Sequence, residues 1–326
     1  MRIDARTIGT GVGVLLAGAI PFAVMQGALE LADVSWATRL WPLILVGAGL
    51  ALVLDRTPLG FVGSWVASIS IGLIAGSILA AVATGGSVGS LGCDAAAART
   101  PFSASSGTLA PGGRVEVTLD CGSLDLATGT GDAWRVEGRS ATGEAPAIEA
   151  TGSRLAVRSA DRGGPVLGLA ADRSVAWRVT APASATRHSV TVNAGAATLA
   201  LGGAAADLSA TVNAGSLVAA LERSALRSVG VTVNAGSASL TFPDADVTGS
   251  VTVNAGSIEL CVPSTTGLRI ETKDGALGSN DFGERGLVRS GDAWISTNWE
   301  AATHRIALEA TANAGSLSLN PEGGCR

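Results

Sequence analysis

One short phrase recurs and limits the fold more than any other feature of the chain: Thr191-Val192-Asn193-Ala194-Gly195, Thr211-Val212-Asn213-Ala214-Gly215, Thr232-Val233-Asn234-Ala235-Gly236 and Thr252-Val253-Asn254-Ala255-Gly256. The asparagines are 20, 21 and 20 positions apart, and a fifth copy, Thr311-Ala312-Asn313-Ala314-Gly315, follows 59 residues after Asn254. Self-similarity at a fixed period near 20 is the mark of a solenoid, in which one small unit stacks on the next.

The residues flanking the phrase decide which solenoid. Val251 and Val253 precede Asn254, and Ile258, Leu260 and Val262 follow Gly256 at every second position. The same offsets hold Leu240 in the third copy and Leu199 in the first, so these leucines are expected to face inward. Period two means strands, and a 3.6-period segment is missing from every unit. The expected fold is an all-β solenoid, a single-stranded β-helix with ~20-residue coils, in which each Asn-Ala-Gly forms a tight bend whose Gly takes φ > 0. Stacking at ~4.8 Å would align the asparagines into a ladder of amides. The expected structural turn ladder is Asn193, Gly195, Asn213, Gly215, Asn234, Gly236, Asn254, Gly256, Asn313 and Gly315. A binding role for this row would require its amides to face outward. Cys121-Gly122-Ser123 with Asp120 in the Asn place reads as the first coil, and Leu268 to Gly275 as a degraded one.

Composition removes several function classes. The net charge is −5, with 21 Arg scattered singly and one Lys, which leaves no basic face for nucleic acid. No Cys/His spacing suggests zinc, and no motif calls for a cofactor. The two histidines, His188 and His304, fall on separate strand-like segments and read as exposed or edge residues. Of the four cysteines, Cys93 and Cys121 lie together at the start of the β domain and are the candidate disulfide. Cys261 and Cys325 are harder to join, because about three coils at ~4.8 Å separate their phrases, beyond a ~7 Å Cα limit unless the tail folds back.

Residues 1–84 differ sharply in character, with apolar stretches over about 7–29, 40–54 and 60–84. A membrane crossing of ~30 Å needs about 20 apolar residues, so the expectation is a three-span transmembrane α-helical region in the plasma membrane, with the lipid bilayer as partner. Arg2, Arg6 and Arg56 against Arg39 place the N-terminus inside and the β domain outside. Residues 85–112, rich in Gly, Ser and Ala, read as a tether, and residues 113–326 as the β-helix domain.

The block from Trp36 to Leu52, after the apolar first span, resembles the LiaI/LiaF-like transmembrane region of bacterial envelope-stress proteins. The Val-Asn-Ala-Gly-Ser coils, the strand end Arg178-Val179-Thr180-Ala181-Pro182 and Cys261-Val262-Pro263 resemble the adhesin-type β-helix, or toastrack, domain. The resemblance implies a membrane-anchored solenoid linked to envelope stress and adhesion, with no catalytic residues to carry over. Three spans rather than four depart from the LiaF pattern.

A β-helix polysaccharide-active enzyme would need acids gathered on one face. Asp207, Glu222, Asp244, Asp246 and Glu259 sit at different offsets from the preceding Asn, so the repeat gathers none of them. The favoured expectation is therefore not an enzyme but an interaction module or scaffold in envelope-stress sensing, its partner another envelope protein or itself. The alternative is a surface adhesin or self-assembling coat.

Overall fold

A computed structural model describes residues 98–160, 174–274 and 278–321 continuously, together with Cys93, Ala95 and single positions within 11–26 and 65–76. The chain divides into two compact units, Met1–Leu91 and Gly92–Arg326. In the first, Ile20 and Val24 are buried and Leu73 packs against them. Its described helical positions fall within 11–24 and 65–76. Among the described residues no helix is long and apolar enough to cross a membrane. This finding overturns the multi-pass plasma-membrane assignment; the proposed span over 40–54 lies outside the described residues altogether.

The second unit is a β-solenoid. β1 (Thr100–Pro101) and β2 (Ser105–Thr108) lead to β3 (Arg114–Leu119) and β4 (Gly122–Thr128), the two sides of one coil. Next come β5 (Ala133–Ser140), β6 (Ala147–Thr151), β7 (Arg154–Arg158) and β8 (Val175–Ala181). Two-strand coils follow, β9 (Arg187–Val192) with β10 (Gly195–Gly203) and β11 (Asp207–Val212) with β12 (Gly215–Ser224). β13 (Ser228–Thr241) and β14 (Val247–Cys261) each run through the bend as one strand. β15 (Gly267–Asp274), β16 (Ser279–Asn280), β17 (Val288–Ser290) and β18 (Ala293–Ile295) precede β19 (Arg305–Leu319).

Two parallel sheets run the length of the stack. Sheet A, formed by the segments before the bend, has the order β7-β3-β9-β11-β13-β14-β19-β15. Sheet B, formed by the segments after it, has the order β8-β4-β10-β12-β13-β14-β19-β16. Spatial order therefore departs from chain order at both ends. β7 and β8 lie outside the coil 114–128 that precedes them, and β15 and β16 lie outside 305–319, which follows them. β19 is thus inserted between β14 and β15. Antiparallel strands close the ends: β6 covers β7, β5 covers β8 with β1 and β2 beyond, and β18 and β17 cover β15. Covered edges oppose end-to-end growth of the stack.

The core is filled by the inward positions of the repeat. Val192, Val212, Val233 and Val253 stack in one row, and Leu199, Leu240 and Leu260 are fully buried. Neighbouring coils alternate Ala197 and Leu199, Leu217 and Ala219, Ala238 and Leu240, so large and small side chains interdigitate. Strands β1 and β2 fall within the 85–112 stretch read as a tether, where backbone pairing with β5 fixes residues whose side chains have little bulk to bury.

The chain end also differs from the reading of the sequence. Because β15 and β16 pair on the far side of β19, β19 stacks directly on β14, and the Asn320 N–H donates to the Leu260 carbonyl at 2.8 Å. The three-coil distance between the Cys261 and Cys325 phrases is therefore a single coil step.

Candidate interaction surface

Outward positions of sheet A carry the same residue from coil to coil. One row is Thr118, Thr191, Thr211, Thr232, Thr252 and Thr311, held in register by the sheet pairing. Two residues before it stand Ser189, Ser209, Gly230 and Ser250, with Glu116 and Glu309 at the row's ends. Two residues after it stand Asp120, Asn193, Asn213, Asn234, Asn254 and Asn313. The threonines are half-buried by their neighbours. Among the described residues, the hydroxyls of Thr191, Thr211, Thr232, Thr252, Ser189, Ser209 and Ser250 have no hydrogen-bond partner.

The asparagines do bond, and only along the axis. Asn213 Nδ2 donates to Asn193 Oδ1, Asn234 to Asn213 and Asn254 to Asn234, each at 2.7 Å, and Asn313 donates to Asn254 at 2.6 Å. Asn193 donates to Asp120 Oδ1 at 2.7 Å. A carboxylate only accepts, so Asp suits the coil that receives a donor and has no ladder amide below it. One N–H of each amide is left over by the ladder, and Asn213, Asn234 and Asn313 are exposed.

The bend glycines make this close stacking possible. Gly122, Gly195, Gly215, Gly236 and Gly256 have φ between 124° and 150°. A Cβ on Gly195, Gly215, Gly236 or Gly256 would lie 1.8–2.0 Å from the carbonyl oxygen of the glycine one coil before.

Small side chains beside the threonine row leave a shallow groove of about 550 Å³, lined by Ser189, Ser209, Ser228, Gly230 and Ser250, with Arg114 and Glu116 at one end. Arg187 and Asp207, on β9 and β11, also line this groove, and further charges stand at the ends of the face. Glu116 accepts from Arg154 at 2.6 Å and Arg114 at 3.3 Å, and these bonds hold its carboxyl below the usual range. At the other end Lys273 meets Glu309 at 3.5 Å.

Other chemistry-bearing groups serve the fold. Asp244 and Asp246, two residues apart between β13 and β14, share one corner. Asp244 accepts from Thr266 and Thr265, which hold its carboxyl low. Asp246 accepts the Arg305 N–H at 2.8 Å and lies 3.9 Å from His304, so the pair ties β13's end to β19. Among the described residues no group of three or more His, Cys, Asp or Glu could hold a metal. His188, read as exposed, is 2% exposed, because it takes an inward position in the row of Val115 and Leu208. Neither ring nitrogen has a partner, and burial pushes the imidazole down to about 4. Nothing in the sequence pattern around His188 distinguishes it from an outward residue except its even offset from Val190. Cys93 and Cys121 form a disulfide with Cα atoms 5.0 Å apart.

No family model matches the chain, and no curated protein matches it. Among solved structures it is similar to a "putative cell adhesion protein" from Clostridium sporogenes, 13% identical over 68% of this chain and 99% of that one, at TM-score 0.43. It is also similar to a "putative adhesin" from Bacteroides fragilis, 10% identical over 67% of this chain and 96% of that one, at TM-score 0.28. Neither score is high enough to carry an argument about function.

Proposed function

We propose that this chain is a non-enzymatic interaction module whose working surface is the outer face of sheet A. The observation that carries this reading is the register of uncharged serine, threonine and asparagine rows, whose hydroxyls have no partner among the described residues. A soluble protein surface ordinarily mixes charges of both signs over about 25–35% of its positions. Four consecutive coils of this face carry none in the three rows, and β-propensity alone explains threonine there but not the exclusion of Lys and Glu. Of the carboxylates weighed for a glycosidase, Asp244 and Asp246 hold the corner between β13 and β14 through hydrogen bonds accepted from Thr266 and from the Arg305 N–H.

A scaffold role in cell-envelope stress, with another envelope protein as the partner, is the setting we propose; it rests on the family resemblance alone. Stacking of copies into a coat is the less favoured reading, because antiparallel strands cover both ends of sheet A and one end of sheet B.

The test is cosedimentation of the full chain with isolated bacterial envelopes. The double substitution Thr211→Arg and Thr232→Glu places bulky charges at the centre of the face without touching the core. Wild type should pellet with the envelopes, and the variant should bind at least about tenfold more weakly. Equal binding by the two proteins, both folded by circular dichroism, would remove this face from consideration.

A further inference from the structure

We infer that a second binding site lies on the outer face of sheet B, where β5 covers β8, and that it takes an acidic sugar unit. It is separate from the face of sheet A and does not depend on it. Register across β4, β8 and β5 sets three outward rows: Asp125, Arg178 and Glu137; Ala127, Thr180 and Arg135; Ser123, Ala176 and Arg139. The charges of the first two rows are matched. Arg178 Nε donates to Asp125 at 3.2 Å, and Arg135 Nε donates to Glu137 at 2.7 Å. Arg139 is left over. It is exposed and has no ion-pair or hydrogen-bond partner among the described residues.

The chain before β1 turns this surplus charge into a site. Cys93 is joined to Cys121, at the bend that opens β4, with Cα atoms 5.0 Å apart. Thr100 pairs with Ser140 at the end of β5, and the Phe102 N–H donates to the Gly138 carbonyl at 3.2 Å. Cys93 and Thr100 are thus fastened to the two strands that flank β8. Ala95, Ala98 and Phe102 form the apolar side of a cleft of about 750 Å³, and the Arg139 row with Asp125, Arg178 and Glu137 forms its polar side. Arg99 lines the same cleft. Ser123 and Ala176 are small, which leaves room beside the Arg139 guanidinium. A concave site of about 300–1,000 Å³ with a few convergent polar groups is the ordinary form of a small-ligand pocket, and walls fixed in advance reduce the entropy lost on binding.

Chemistry selects the ligand. A guanidinium is a planar fork of donors that matches a carboxylate or phosphate with two parallel bonds. An acid is admitted beside Asp125 and Glu137 because each of these already has an arginine. Their remaining lone pairs accept hydroxyl groups, and the Ser123 hydroxyl, which has no partner among the described residues, can donate or accept. The ligand therefore carries one acid and several hydroxyls, with a C–H face to lie against Ala95, Ala98 and Phe102. A neutral sugar would leave Arg139 unused, and an inorganic anion would leave the acceptors unused. An extended peptide finds no free backbone here, since β4, β8 and β5 are each paired on both sides. The acid of the sugar is a carboxylate or a phosphate, which the same guanidinium holds.

The experiment is calorimetric titration of the full chain with glucuronate, glucose 6-phosphate, glucose and inorganic phosphate. At least one of the two acidic sugars should bind about tenfold or more tightly than glucose and inorganic phosphate, and the one that does identifies the acid. Arg139→Gln should weaken that binding at least about tenfold. Arg158→Gln, exposed at the end of β7 on sheet A, should leave it unchanged; circular dichroism checks that both variants are folded. The inference is overturned if neither acidic sugar binds, if glucose or inorganic phosphate binds as tightly, or if Arg139→Gln binds like wild type. The double variant Thr211→Arg and Thr232→Glu should bind the sugar as wild type does, so a failed envelope assay leaves this site standing. Loss of sugar binding in that double variant would place the sugar on sheet A and overturn the inference as well.

Discussion

Gly215 meets two separate requirements, a φ of 150° and a neighbouring carbonyl that would stand 2.0 Å from any Cβ. Gly215→Ala should therefore cost more than the ~1–3 kcal/mol of an unfavourable backbone angle alone, read as a fall in the denaturation midpoint. Leu260 is fully buried, and Leu260→Ala should cost about 2–5 kcal/mol, as truncations of buried leucine do; an unchanged melting curve would contradict the inward register. His188 gives a pH-dependent prediction. Its imidazole is held near 4 in the fold against 6.5 when free, so between those values the unfolded chain binds a proton that the folded chain does not. Stability should be full above about pH 6.5 and fall as pH drops to about 4, by about 3 kcal/mol in total. His188→Leu should abolish that part of the slope in urea titrations, and an unaltered slope would assign it to other groups. The asparagine and glycine positions were legible because their offsets repeat. His188 was not, because its type says exposed and only its place in the inward row, beside Val115 and Leu208, says buried.

Individual strands were easier to read than their neighbours. Alternation identified β3, β4, β13 and β14, and the degraded coil at Leu268 became β15, yet sequence order suggested that β15 lies on β14. In the fold β19 occupies that place: its Thr311-Ala312-Asn313-Ala314-Gly315 matches the phrase of β14 at every position but Ala312, whereas β15 pairs with the outer edge of β19 and with β18. The Arg305 N–H on Asp246 and the Leu319 N–H on Asp281 fix the ends of the inserted strand. This order changes the cysteine prediction. Cys261 is disulfide-bonded, Cys93 is joined to Cys121, and the chain has four cysteines. Peptide mapping without reduction should recover Cys261 linked to Cys325. Recovery of Cys325 as a free thiol would mean that Cys261 pairs outside its own chain.

Across the whole molecule, the solenoid differs from a globular domain in that each coil touches only the coils on either side of it. Stability is then a sum of coil terms and nearest-neighbour contacts, and inner coils are held on both faces. Strands β11, β13 and β14 each pair with two neighbours in sheet A, while β6 and β17 pair with one. The repeat made this architecture legible, but not the caps, since β5, β6, β17 and β18 are antiparallel and lie outside the period. The apolar stretches of 1–84 were legible as composition alone, which does not decide whether a helix crosses a bilayer. The arrangement predicts a protection gradient in native-state amide exchange of the full chain. Amides of Val212, Val233 and Val253 should exchange only through global opening, whereas those of Ala147–Thr151 and Val288–Ser290 should exchange through local fraying at far lower free energy. Uniform protection from β6 to β17 would instead show that caps and coils open as one cooperative unit, and the nearest-neighbour description would then fail for this chain.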